Sequence, residues 1–143
     1  MAEEYENFMQ RWFEEVWNKQ REEAIDEMCT EDVVANGLTD AEGNTIRGRE
    51  AYKNLFRAFV SAYPDIKITV EDTVREGDKI AARCRVRGTH AGEGLGLAPT
   101  NQPLEFTGMT IVRLEDGKIA EAWNEFDFMK MYQQLGVLSL NLQ

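Results

Sequence analysis

Two side chains in this sequence are chemically suited to move a proton near neutral pH. His90 is the only histidine, and an unperturbed imidazole has a pKa of about 6.5. Asp127 precedes a predicted helix, Phe128–Leu135, so it stands where either a catalytic carboxylate or a helix N-cap belongs. His90 could equally be a hydrogen-bonded residue at the end of a strand. We name both as candidate catalytic residues, and for each the structural role is the favoured alternative.

Several other chemistries lack the residues that they need. One histidine and two distant cysteines, Cys29 and Cys84, do not supply the ligand set of a zinc site. We expect both thiols to be reduced and buried. Ser61 and Ser139 have no histidine near them in the sequence, which argues against a serine-hydrolase triad, and no glycine-rich phosphate loop precedes a helix. We therefore predict no metal and no cofactor.

Aromatic side chains and one arginine are the further candidates for holding a ligand. Small-molecule pockets are mostly apolar and often aromatic, although most aromatic residues in any domain simply fill its core. Arg83 shares a predicted strand face with Arg85 and Arg87, and this face is most simply a solvated or dimer-facing stripe. The alternative is that Arg83 holds a carboxylate or enolate in a pocket. The aromatic candidates are Trp12, Phe13, Phe56, Phe59, Tyr63 and Trp123.

The first half of the chain is predicted to be mainly helical. Phe8, Trp12, Phe13 and Val16 recur at helical spacing in a charged run, which is typical of an amphipathic helix. Pro64 disfavours helical geometry in the residue before it and so ends the third helix. The predicted elements are helices over Glu3–Lys19, Glu22–Met28 and Arg49–Ala62, and a strand over Thr30–Leu38.

The second half alternates apolar and polar residues, which is typical of half-buried strands. Strands are predicted from Ile66 and over Lys79–His90, Leu104–Leu114 and Lys118–Phe126. The glycine-rich segment Ala91–Pro103 is either a mobile lid or a plain connection. Helices followed by strands indicate an α+β fold, with a strongly curved antiparallel sheet packed on three helices. We find no linker or repeat and predict one domain over residues 1–143.

The charge of the chain excludes some partners. Acidic residues number 26 and basic residues 16, which gives a formal net charge of −10. This charge repels nucleic acid and anionic membrane surfaces, and no basic stripe offsets it. The acidic start has no signal-peptide pattern, and no apolar run is long enough to span a bilayer. We expect a cytoplasmic protein.

Motifs spread over nearly the whole chain resemble the SnoaL-like polyketide and ester cyclases. The resemblance implies a cone fold in which the curved sheet and three helices enclose one mostly apolar pocket. It also implies dimerisation, cofactor-independent ring closure of a polyketide ester, and an aspartate that removes a proton next to a carbonyl. The matching motifs are Gly88-Thr89-His90-Ala91-Gly92-Glu93, Gly96-Leu97-Ala98-Pro99-Thr100, Gly117-Lys118-Ile119-Ala120-Glu121-Ala122-Trp123 and Gln134-Leu135-Gly136.

The chain departs from this family at the two positions that matter most for proton transfer. Asn124 occupies the place of the family's aspartate base, and Thr110 that of a histidine on the preceding strand. Neither an amide nor a hydroxyl can act as a general base near neutral pH. By strand parity both face the pocket, where they would orient a ligand through hydrogen bonds.

Two functions follow from these observations. In the first, the protein is a cofactor-independent cyclase, isomerase or hydrolase for a small hydrophobic carbonyl or ester compound. Asp127 or His90 would transfer the proton, while Asn124, Thr110 and Trp123 would orient the substrate. In the second, it is a binding or dimerising module without catalysis, which the amide at position 124 favours. A homodimer is expected, because Met109 and Ile111 place apolar surface on the outer sheet face.

Overall fold

A computed structural model describes residues 5–139 and confirms the α+β prediction, with one curved six-stranded sheet and four helices. The helices are α1 (Phe8–Trp12, continued by a π-helical segment, Phe13–Asn18), α2 (Glu23–Met28), α3 (Arg49–Ala62) and α4 (Phe128–Gln134). The strands are β1 (Cys29–Thr39), β2 (Thr45–Arg47), β3 (Lys67–Glu76), β4 (Lys79–Thr89), β5 (Pro103–Glu115) and β6 (Lys118–Phe126).

The strands lie in the order β2-β1-β6-β5-β4-β3. Every neighbouring pair is antiparallel except β1 with β6, which is parallel. The prediction of an antiparallel sheet therefore holds for the long β3–β6 meander. The first strand thus returns beside the last one, and β2 and β3 form the two edges of the sheet.

Two local features were not predicted. The first helix changes from α to π geometry at Phe13, and its predicted start at Glu3 lies outside the described residues. A turn after Thr39 joins β1 to an extra short strand, β2. Within this turn the Asp40 carboxylate accepts hydrogen bonds from the backbone N–H groups of Glu42 and Asn44, at 3.0 and 2.8 Å.

Burial alternates along the central strands because successive side chains point to opposite faces of a sheet. On β5, Phe106, Thr110 and Val112 are buried while Met109 and Ile111 are exposed. The helices cover the inner face, and the outer face carries ion pairs such as that between Arg85 and Glu71. Among residues 5–139, no helix is long and apolar enough to cross a membrane.

Candidate active site

The inner face of the sheet and the helices enclose a nearly apolar cavity. Its free volume is about 70 Å³, which suits a few water molecules or a small organic group. The side chains that line it are Trp12, Phe13, Trp17, Cys29, Val33, Ala35, Leu38, Tyr52, Leu55, Phe59, Ile66, Ile68, Val86, Phe106, Thr110, Val112, Ile119, Ala122, Asn124, Phe126 and Phe128. A ligand here would therefore meet hydrocarbon on nearly every side.

Thr110 and Asn124 are the paired polar residues of this cavity, as predicted from strand parity. They lie directly opposite each other on β5 and β6. The Asn124 side-chain nitrogen donates to the backbone carbonyl of Asn36 at 2.9 Å. A carbonyl oxygen can only accept, so this contact fixes the orientation of the amide and leaves its Oδ1 available. Within residues 5–139, neither this oxygen nor the Thr110 hydroxyl has a hydrogen-bond partner.

The end of β1 is shaped to hold Asn124 in place. Asn36 is itself fixed, because its side-chain nitrogen donates to the Glu121 carboxylate at 2.9 Å and to the Ala122 carbonyl at 3.1 Å. Gly37 has a φ of +85°, and a Cβ atom there would overlap the carbonyl oxygen of Asn124. Only glycine allows this approach of the two backbones. The amide is thus positioned by neighbours that do not themselves line the cavity.

Tyr52 and Cys29 add two further polar groups, and burial keeps both of them neutral. Desolvation raises the pKa of the Cys29 thiol to about 12 and also raises the pKa of the Tyr52 hydroxyl. The Tyr52 ring packs against Trp12 with centroids 5.6 Å apart. Both groups can donate a hydrogen bond, but neither is a thiolate or phenolate at neutral pH. Strand and helix periodicity could have identified Tyr52, which shares its helix face with Phe59.

Only part of the predicted aromatic set lines the cavity. Trp12, Phe13 and Phe59 do so, as predicted. Phe56 and Tyr63 are buried behind the lining. The Phe56 ring packs on Trp17, a lining residue that was not predicted, with ring centroids 5.3 Å apart. Trp17 lies four residues after Phe13, so helical spacing alone could have found it.

Trp123 and Arg83 lie on the outer face of the sheet, which corrects their predicted place in the cone. Trp123 is 36% exposed and stands between Ala122 and Asn124, which both line the cavity. Adjacent residues of a strand face opposite sides, so Trp123 and Asn124 cannot share one pocket. Arg83 pairs with Glu71 on the outer face at 3.0 Å.

His90 fastens the loop that follows β4 and is not among the lining residues. Its imidazole Nδ1 accepts from the Thr100 backbone N–H at 3.2 Å and lies 3.0 Å from the Thr100 hydroxyl. Its backbone bonds Asn101 and Gln102. Because Nδ1 accepts, the ring proton belongs on Nε2, which is buried without a partner. His90 thus has a clear structural task, and its catalytic role stays a prediction.

Asp127 caps α4, since its carboxylate accepts from the Lys130 backbone N–H at 3.0 Å. It is exposed and borders a depression on the outer face, together with Arg83 and Glu125. It lies one residue beyond Phe126, which lines the cavity. A catalytic role for Asp127 also stays a prediction. No group of three His, Cys, Asp or Glu side chains within the described 5–139 segment is placed to hold a metal ion.

A family model for SnoaL-like polyketide cyclases matches residues 7–135. The chain belongs to this family. A search of curated proteins gives no significant match. The expected fold and family are thereby confirmed, while the reaction depends on the site described above.

Three solved structures illustrate the likeness. IdmH from Streptomyces antibioticus, a candidate polyketide cyclase, is 35% identical with a TM-score of 0.77, covering 92% of this chain and 97% of its own. A candidate polyketide cyclase from Bacillus cereus is 29% identical with a TM-score of 0.80, covering 96% and 84%. AclR from Streptomyces galilaeus, a candidate hydroxylase, is 26% identical with a TM-score of 0.82, covering 100% and 91%. Proteins of similar structure are thus described with different candidate activities.

Proposed function

We propose that the cone of this SnoaL-like protein binds a small hydrophobic carbonyl or ester compound and promotes its ring closure without a cofactor. The observation that carries the proposal is the in-register pair Thr110 and Asn124 in an otherwise apolar cavity. A few fixed polar groups in an apolar pocket orient a ligand, because a polar group that is left without a hydrogen-bond partner there is costly in free energy.

The proposed catalysis relies on orientation and on polarisation of the substrate. The Thr110 hydroxyl donates to the carbonyl oxygen, which draws electron density from the adjacent carbon. Asn124 Oδ1 accepts from the enol hydrogen of the same molecule and so fixes its conformation. In the ring closure the enol carbon forms a bond with the polarised carbonyl carbon, the enol becomes a ketone, and the enol proton ends on the former carbonyl oxygen, which becomes a hydroxyl. Holding two reacting parts of one molecule together removes much of the entropic barrier to ring closure. No carboxylate or imidazole is among the residues that line the cavity. Asp127 and His90 lie outside this lining, so either of them would have to reach the substrate from beyond the cavity wall to transfer a proton.

Binding of simple ketones and keto esters tests this proposal, with isothermal calorimetry on the wild-type chain. Thr110→Val and Asn124→Leu remove the polar atoms at nearly constant volume, and each should weaken binding about 5- to 50-fold, as expected for losing one buried hydrogen bond. Thr107→Val on the exposed face of the same strand is the matched control and should bind as wild type. Equal affinity in all four proteins would refute the proposed site.

A non-catalytic binding module is the second candidate, and the amide at position 124 favours it. Incubation with candidate polyketide esters followed by mass spectrometry separates the two functions. Ring-closed product supports the enzyme, and a bound ligand that is recovered unchanged supports the module. Activity that persists in Asp127→Ala and His90→Ala proteins would remove these two residues from the mechanism.

We also propose a homodimer formed through the outer sheet face. Val74, Met109, Ile111 and Trp123 are exposed there, and Val74, Ala81, Ile111 and Trp123 follow one register line across β3, β4, β5 and β6. A continuous apolar row of this kind is costly to leave in water. Light scattering should give twice the chain mass, and Ile111→Glu should give the monomer. A monomeric wild-type protein would exclude this dimer.

A further inference from the structure

A second, larger hollow lies against the inner cavity and is not part of it. Its volume is about 740 Å³, roughly ten times that of the inner cavity. Its walls come from the turn after β1, the exposed side of α3, the loop around Leu95, and α4. Gly94 packs so closely on α3 that a Cβ atom there would overlap the Ala58 carbonyl oxygen. We call this hollow the outer groove.

Four side chains line both spaces and separate them. They are Leu38 of β1, Leu55 and Phe59 of α3, and Phe128 of α4. All four are only partly buried, and the Phe59 and Phe128 ring centroids lie 6.2 Å apart. The separation is thus formed by side chains and contains no backbone strand. Rotamer changes of these side chains need no change of the backbone, so such a partition can open without unfolding any element.

The Thr110–Asn124 pair lies near this partition. Leu38 follows Asn36 by two residues on β1, and the Asn36 carbonyl binds the Asn124 amide. Phe128 follows Asn124 by four residues, just past the end of β6. When Thr110 and Asn124 hold the oxygen of a molecule, its remaining atoms can therefore reach the partition and, beyond it, the outer groove.

The polar residues of the outer groove carry negative charge or none. Asp40 and Glu42 border it, as do Asn54 and Tyr132, and no lysine, arginine or histidine is among its lining residues. Hydrogen bonds from the Asn44 and Glu42 backbone lower the pKa of Asp40, so this carboxylate is ionised at neutral pH. Like charges here would repel an anionic ligand and attract a cation.

We propose that the inner cavity and the outer groove form one binding site for an elongated molecule. Its apolar, oxygen-bearing head enters the inner cavity, and its tail, bearing hydroxyl groups or a positive charge, lies in the outer groove. This inference rests on the proposed function, because it uses Thr110 and Asn124 as the anchor of the head. It adds a class of substrate: long, with an apolar head and a tail free of negative charge. The inner cavity of about 70 Å³ cannot enclose such a molecule.

Two kinds of probe test the proposal on the full chain. The short probe is 2-butanone, which the inner cavity can hold, and its binding is followed by ligand-detected NMR. The long probes are 2-decanone derivatives whose far end carries a hydroxyl, a trimethylammonium or a carboxylate group. We expect the hydroxyl and trimethylammonium probes to bind at least tenfold tighter than 2-butanone. The carboxylate probe should bind at least fivefold more weakly than the trimethylammonium probe, and added salt should reduce this difference.

Variants on α3 and in the turn locate the tail. Asn54→Trp places bulk in the outer groove without touching the inner lining, and should weaken the long probes at least tenfold while 2-butanone binds as before. Glu50→Trp, exposed on the same helix and outside both spaces, is its control. Glu42→Gln should reduce the preference for the cationic probe, and Glu76→Gln at the end of β3, outside both spaces, should not.

The outcomes separate this inference from the proposed function. If 2-butanone binding depends on Thr110 and Asn124 but Asn54→Trp leaves the long probes unaffected, the outer groove is not used and the inference fails alone. If the long probes bind no tighter than 2-butanone, it also fails. If none of the probes binds, the proposed function and the inference fall together.

Discussion

The inner and outer faces of the sheet are built from the same strands and yet differ in almost every physical property. Neighbouring residues have opposite surroundings: Asn124 lines an apolar cavity, while Trp123 lies under Lys79 at 5.7 Å on the exposed face. The inner face keeps its ionisable groups neutral by desolvation, as at Cys29. The outer face keeps them charged in ion pairs, as at Glu71. In this fold, therefore, strand parity decides what chemistry a residue can do.

The largest expected contrast comes from placing one charge on either face at adjacent positions. Ala81 and Ala82 follow each other on β4, and only Ala82 is fully buried, at 1% exposure. Ala82→Glu should lose about 4 kcal/mol or more of unfolding free energy, because an unpaired carboxylate enters an apolar core. Ala81→Glu leaves its charge in water and should change the unfolding free energy of the monomer by less than about 1 kcal/mol. Urea unfolding followed by circular dichroism measures both, and equal losses would show that the two faces do not differ as described.

A smaller loss of unfolding free energy is expected from a substitution at His90. This residue lies on neither face but anchors one wall of the outer groove. His90→Ala removes a buried ring and its hydrogen bonds to Thr100, and should cost about 2–4 kcal/mol. Arg87, three residues before His90 on β4, forms an exposed ion pair with Glu105 of β5. Arg87→Ala breaks this pair and should leave the stability nearly unchanged, because solvent screens exposed charges. Thermal unfolding measures both. A His90→Ala protein of wild-type stability would contradict the anchoring role and return His90 to the catalytic candidates.

Much of the fold was accessible from the sequence, because its elements are strongly periodic. The alternation on β4, β5 and β6 predicted the strands to within about a residue, and helical spacing predicted α3 with its observed ends. The pairing of β1 with β6 was not predicted, because it joins residues nearly ninety positions apart, such as Asn36 and Trp123. Local patterns carry no information about such contacts.

The candidate site was predicted in part, and the reasons differ from residue to residue. Parity correctly placed Asn124 and Thr110, and the same rule, applied to Trp123, would have excluded it. The structural role of His90 was favoured from the sequence, but its partner Thr100 is fixed only by the path of the following loop. The partition could not be predicted, because Leu38, Leu55 and Phe128 meet through tertiary packing of three separate elements.

Tryptophan fluorescence offers a milder test of the two faces without any ligand. Trp123 is 36% exposed, whereas Trp12 and Trp17 are only 5% and 6% exposed. In the monomeric Ile111→Glu protein, acrylamide, a polar quencher, should reach the outer indole and not the two inner ones. Trp123→Phe should therefore lower the quenching constant about threefold or more, while Trp17→Phe should not lower it and should cost stability through lost packing. Unchanged quenching after Trp123→Phe in this monomeric background would contradict the exposure of Trp123, whereas in the wild-type dimer the partner covers this face and the same substitution should have little effect.

The stability of the protein should depend on acid pH through the outer face and on alkaline pH through the inner face. It should not change near neutral pH. Ion pairing with Arg85 lowers the pKa of Glu71 on the outer face. Its contribution is present above the pKa of the unfolded carboxyl, about 4.3, and is lost as the pH falls through the lower folded value.

On the inner face the sign is reversed. Burial raises the pKa of the Cys84 thiol to about 12, so the folded chain holds this proton more tightly than the unfolded chain does. Its contribution is complete below the unfolded pKa of about 8.5 and is lost as the pH rises toward 12. Urea midpoints measured against pH should therefore be flat between about pH 6 and 8 and fall on both sides. Glu71→Gln should make only the acid limb shallower and Cys84→Ala only the alkaline limb, since Glu105 and Cys29 also contribute to these limbs. If either substitution changed the opposite limb, the assignment of charge to one face and neutrality to the other would be wrong.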